Sequence, residues 1–79
     1  MQTYFMTPLA KALKEARKSK GLTLKEVASR LPDRSRVHYV TIHRFERGKM
    51  PEAHVLGDLA RLFRLDPNRL VRLAQRSAA

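Results

Sequence analysis

Between Arg36 and Arg47, six side chains fall at helical spacing on one stripe: Arg36, Tyr39, Val40, His43, Arg44 and Arg47. Their types suit one kind of chemistry. An arginine can pair bidentately with the O6 and N7 of guanine, and a valine can cover a thymine methyl. Tyrosine and histidine can hydrogen-bond to bases or phosphates. Tyr39, Val40, His43 and Arg44 are therefore candidates for contact with base edges in a DNA major groove. The opposite stripe, His38, Thr41, Ile42 and Phe45, repeats at i, i+3, i+4, i+7 and suits a core, with Val37 near its edge. Most charged helix faces are only solvated faces. Tyr39 and Val40 weigh against that here, because neither serves solubility.

Other chemistries find little support. His38 and His43 are five apart, not the i, i+4 of a helical metal pair, and the chain has no cysteine. No metal, cofactor or disulfide is expected. No Ser/His/Asp set, glycine-rich phosphate loop or close pair of carboxylates is evident, and so small a chain leaves little room for a catalytic pocket. The expectation is a protein that is not an enzyme.

The chain has 79 residues, enough for one small domain, and 43% of them are hydrophobic, enough for one core. Lysine and arginine number 17 against 7 acids, a formal charge of +10. A compact domain with that imbalance repels itself, and a polyanion relieves the repulsion. Nucleic acid is the commonest such partner and an anionic membrane the second. No apolar run approaches the roughly 18 residues of a membrane span. The opening Met1–Met6 lacks the basic-then-apolar pattern of a signal peptide. A cytoplasmic, nucleoid-associated protein with no membrane partner is expected.

The elements that must position the stripe can be read from caps and periodicity. A first helix should run from about Pro8 to Lys20, with Thr7 as N-cap and Gly21 as stop. Thr23 and Glu26 have capping-box spacing, so a second helix starts there and ends before Pro32. A third, about 37–47, stops at Gly48. A fourth covers about Glu52 to Arg64, with Val55, Leu56, Leu59, Ala60 and Phe63 inward. A fifth follows the Asp66-Pro67 cap to about Arg76, with Leu70, Leu73 and Ala74 inward. Five short amphipathic helices and no strands imply a compact all-α domain. The corresponding layout is an apolar N-terminal arm at 1–6, a domain at 7–76 and a tail at 77–79.

Segments two and three have the order of a helix-turn-helix. From about Leu9 to Leu73 the chain resembles the lambda-repressor-like (XRE/Cro) helix-turn-helix family. Leu13 to Thr23 is similar to the family's first helix and Gly-Leu-Ser/Thr junction, and Glu26-Val27-Ala28 to its Glu-Leu-Ala. Thr41-Ile42-His43-Arg44-Phe45-Glu46-Arg47-Gly48-Lys49 is close to its Thr-Ile-Ser-Arg-Ile-Glu-Arg-Gly-Lys. Leu59 to Phe63 and Asp66 to Leu70 resemble the family's later segments. The resemblance implies that Tyr39, Val40 and Arg44 reach base edges, with His43 beside them. It implies that His38, Arg47, Lys49 and His54 lie near phosphates, and that Arg17 and Glu46 form a salt bridge joining helices one and three.

The sequence departs from the family in three places. Five residues, Pro32 to Arg36, fill a gap where the family usually has one. A longer turn is the expected form; the alternative extends helix three backwards from a cap at Asp33 or Ser35. Either way Arg34 and Arg36 come near the DNA side. Leu24 sits where a glutamine often touches phosphate, with Lys25 as the substitute. Tyr4-Phe5-Met6 is apolar, unlike a basic groove-wrapping arm, and is expected to pack on the domain or on a partner subunit.

The resulting expectation is a sequence-specific regulator of transcription that binds double-stranded DNA, bacterial or phage in origin, and a homodimer at least on DNA. Helix five, with Leu70 and Val71, is the candidate dimer surface. The rival reading is a protein-interaction module, such as an antitoxin or an RNA polymerase adaptor.

Overall fold

The computed structural model describes residues 6–78. Its helices are α1 (Pro8–Ser19), α2 (Leu24–Arg30), α3 (Tyr39–Phe45), α4 (Ala53–Phe63) and α5 (Pro67–Ala78), with one 3₁₀ turn at Asp33–Ser35 between α2 and α3. Tyr4 and Phe5, and with them most of the expected apolar arm, lie outside the described residues. Met6 is exposed.

Local chemistry sets the boundaries. The Thr7 hydroxyl accepts from the Ala10 amide at 3.1 Å and Pro8 occupies the first position of α1. The helix closes where Gly21 takes φ +67°, a left-handed backbone that costs glycine little. At α2 the capping box is complete. The Thr23 amide donates to Glu26 Oε1 at 2.9 Å and the Glu26 amide to Thr23 Oγ1 at 3.1 Å. The Thr23 amide, then the Thr23 side chain, favour the Glu26 carboxylate and hold its pKa below the ordinary value. Leu31 leaves the helix in an extended conformation, as Pro32 after it requires. The 3₁₀ turn then settles the alternative over Pro32 to Arg36: these residues form a turn and do not lengthen α3.

Three helix pairings carry the packing: α2 on α3, α4 on α5, and α1 on α5. Leu9 and Leu13 of α1, Val27 of α2, Ile42 and Phe45 of α3, Leu59 and Phe63 of α4, and Leu70 of α5 meet in one core. Leu70 is 1% exposed. It therefore cannot belong to a dimer surface; of the expected pair only Val71 is exposed. The helix also runs past Arg76, and the Ser77 hydroxyl accepts from the Leu9 amide at 3.2 Å while donating to the Leu73 carbonyl at 2.7 Å. That bond ties the end of α5 to the start of α1.

Candidate nucleic-acid interface

α3 is short, so its orientation depends on what holds it. Ile42 and Phe45 bury its inner side. At its C-terminal cap Glu46 is 4% exposed and receives two bonds from Arg17 of α1: Nε to Oε2 at 2.6 Å and Nη2 to Oε1 at 3.1 Å. Arg17 Nη1 also donates to the Leu22 carbonyl at 2.9 Å. A bidentate, charge-assisted pair fixes both distance and angle, and so joins α1 to the end of α3. Gly48 comes next at φ +122°, a conformation that L side chains rarely adopt. The turn that carries Arg47 and Lys49 depends on it.

The outward side of α3 presents Val40, 36% exposed, with His43 and Arg44 also exposed. Arg47 is exposed just beyond the helix and Lys49 is half-buried. Neither Arg44 nor Arg47 has an ion-pair partner among the described residues.

Two of the expected placements change. His38 does not face the core. The helix begins at Tyr39, two residues later than the expected start near Val37, so His38 is the N-cap, exposed, with Nδ1 accepting from the Val40 amide at 3.2 Å. Tyr39 is half-buried rather than fully presented. It packs on the core edge, its ring lies 4.5 Å from that of His38, and Lys25 Nζ sits 5.1 Å from its centroid. Leu24 is half-buried on the same core, which leaves Lys25 as the cation α2 offers here.

Two open depressions flank α3. One, of about 450 Å³, is lined by Lys25, Ser29, Arg36, His38 and Tyr39, with Ala28 and Val37. The other, of about 350 Å³, lies between the inserted turn and the start of α4. Arg34, Arg36, Lys49 and His54 line it, over Val37, Thr41, Phe45 and Val55 among others. Most of the candidate phosphate contacts thus gather on the two sides of the exposed stripe, and Arg36 reaches both. Arg36 Nη2 is 3.2 Å from the fully exposed Asp33, a surface pair. His54 Nδ1 lies 3.5 Å from Glu52.

Arg34 is committed elsewhere. Its Nη2 donates to Asp58 Oδ1 at 2.6 Å and its Nε to Oδ2 at 3.0 Å. Ser35 Oγ, buried, donates to Asp58 Oδ2 at 2.5 Å, and Arg61 Nη1 to Oδ1 at 2.6 Å. The Arg34 guanidinium, then the Ser35 hydroxyl, hold the Asp58 carboxyl far below the usual carboxylate range, and Asp58 in return raises the pKa of Arg34. This network latches the inserted turn to α4. Sequence reasoning missed Asp58 and Ser35. A signal was available: Asp58 stands in the apolar stripe of α4, between Val55 and Leu59, where a carboxylate needs a cation supplied from elsewhere.

Among the described residues no group of His, Asp and Glu could hold a metal ion, and no helix is long and apolar enough to cross a membrane. No curated protein and no solved structure matches the chain. The sequence model of the family described as "Helix-turn-helix domain" matches residues 10–76, from α1 into the last turns of α5. That span takes in α2, the inserted turn and α3 in helix-turn-helix order, in keeping with the lambda-repressor-like resemblance, and the chain therefore belongs to the helix-turn-helix domain family.

Proposed function

We propose that the chain is a sequence-specific regulator of transcription that inserts α3 in the major groove of double-stranded DNA. The observation that supports this best is the exposed stripe of Val40, His43 and Arg44 on a helix anchored at its far end by Arg17 and Glu46. In this reading Arg44 pairs with a base edge, Val40 meets a thymine methyl, and His43 and Tyr39 flank them. Lys25, Arg36, His38, Arg47, Lys49 and His54 hold the phosphates on either side. Such contacts set register and orientation but carry no sequence information. Arg34 serves by fixing the turn from which α3 departs. The chain performs no catalysis; its effect on transcription comes through occupancy of the site.

One reading helix covers few base pairs. Two copies on half-sites one duplex turn apart are the ordinary solution. Selection of bound duplexes from a random pool tests the reading. The expected result is an enriched motif that recurs as two half-sites about 10 base pairs apart, centre to centre. A pool that stays random after repeated rounds would overturn sequence-specific recognition.

A further inference from the structure

The charge of the molecule is not gathered at α3. Of the 17 cationic side chains, Arg17, Arg34, Arg36 and Arg61 pair with carboxylates. Of the other 13, only Lys25, Arg30, Arg44, Arg47 and Lys49 belong to α2, α3 and the loop after it. The remaining eight lie on α1 and the turn after it, at the end of α4, and on α5. One duplex on α3 leaves most of that charge unaccounted for.

Three of the eight form a row. Arg69, Arg72 and Arg76 stand at i, i+3 and i+7 on α5, all exposed, on one flank of the buried Leu70. None has an ion pair among the described residues. Glu15 lines the α1–α5 groove beside Arg69 but does not reach pairing distance. Helix stability does not explain the row. Arginines late in a helix suit its dipole, but Arg69 sits in the first turn, where the dipole opposes a cation, and the Asp66 cap carboxylate bonds the Asn68 amide and forms no ion pair with it. The row also stands apart from the candidate interface, because α5 packs on α1 and α4 and lines neither depression beside α3.

We infer that Arg69, Arg72 and Arg76 form a second phosphate-binding face, which holds the backbone of a second DNA duplex while α3 occupies the first. This goes beyond the proposed function and shares with it only that the chain binds duplex DNA. The row spans seven residues, about 10 Å along the helix. Phosphates on one strand advance about 3.4 Å along the duplex axis, so the row matches about three of them. Guanidinium groups suit phosphate oxygens bidentately. A twofold self-contact through this row would set arginine against arginine and is disfavoured. A helix that inserts in a lipid surface needs a broad apolar face, and α5 has turned Leu70 inward and packed Leu73 and Ala74 on the core, leaving Val71 as its exposed large apolar side chain.

The test is a two-duplex capture. A duplex from the selected pool is immobilised and loaded with protein, and a fluorescent duplex of unrelated sequence is offered in solution. The wild-type protein retains the second duplex. R69Q/R72Q/R76Q holds the first duplex as before and retains at least tenfold less of the second. The logarithm of wild-type retention falls with the logarithm of salt at a slope near −2.7, about 0.9 for each of three phosphates. Equal retention by the two proteins overturns the inference, as does no retention by wild type, or loss of both duplexes together. Sedimentation of the free proteins guards against an indirect effect: a change of oligomeric state on substitution also overturns it. Arginine-dependent binding to phosphatidylserine vesicles without any second duplex would assign the row to membranes instead. If no duplex sequence is preferred at all, major-groove reading fails, and the arginine row is then judged on whether wild type captures any duplex better than the substituted protein.

Discussion

Glu46 is the residue on which the placement of α3 most depends. Its carboxylate is nearly sealed from water and takes both of its bonds from Arg17. Removing one partner of such a pair strands a buried charge, at a cost of about 3–5 kcal/mol. Arg17→Ala should lower unfolding stability by that much in urea titration, and a change under about 1 kcal/mol would show that water screens the pair. Asp58 makes a prediction of a different kind. Its folded pKa is depressed from an ordinary 3.8, so the stability it contributes is present above that value and lost as pH falls toward the folded one. Asp58→Asn should therefore be less stable than wild type at pH 6, with the gap closing as both are taken from pH 4 to pH 2. A gap independent of pH would mean that the latch does not act through the ionised carboxylate. The Arg17–Glu46 pairing was implied by a resemblance in the sequence. The Asp58 network was not, because Ser35 and Asp58 lie 23 residues apart and no local pattern links a turn serine to an acid on another helix.

The helices themselves were legible because their ends are written in local chemistry. Thr7-Pro8, the Thr23/Glu26 box and Asp66-Pro67 all act within four residues of themselves. The start of α3 was harder to place. Asp33 and Ser35 looked like caps, but each is taken up in the 3₁₀ turn, and the capping falls to His38, an uncommon choice. α4 ends on a residue that no cap rule favours: Arg64 adopts φ 56°, ψ 41°, its amide bonding to the Ala60 and Arg61 carbonyls. A left-handed L-residue costs roughly 1–2 kcal/mol, partly offset in glycine by its larger unfolded-state entropy. Arg64→Gly should accordingly raise stability by about 0.5–1 kcal/mol in the same titration. Destabilisation would mean that the arginine side chain contributes more than its backbone costs.

At the scale of the molecule, 79 residues build one core and surround it with cations. The core was predictable from periodicity, helix by helix, except where periodicity mistook an end. It put His38 inside; it placed Leu70 inward correctly, and only the choice of a dimer surface set that residue near an exposed edge. The distribution of charge was not legible at all, since composition gives +10 but not which face carries it. Only the paired acids reveal that. Glu46, Asp58 and Asp33 neutralise cations at the joints between elements, and the cations unpaired among the described residues remain around α3, along α1 and the turn after it, at the end of α4 and on α5. In the proposed function, the joints hold α3 in place and its outer side meets the DNA. Base preference measured for wild type and Arg44→Ala, side by side in one binding-site selection, tests that most directly. The account predicts that the variant still binds but loses discrimination at one base position by about 1–3 kcal/mol, the others unchanged. Identical preferences in the two proteins would contradict it.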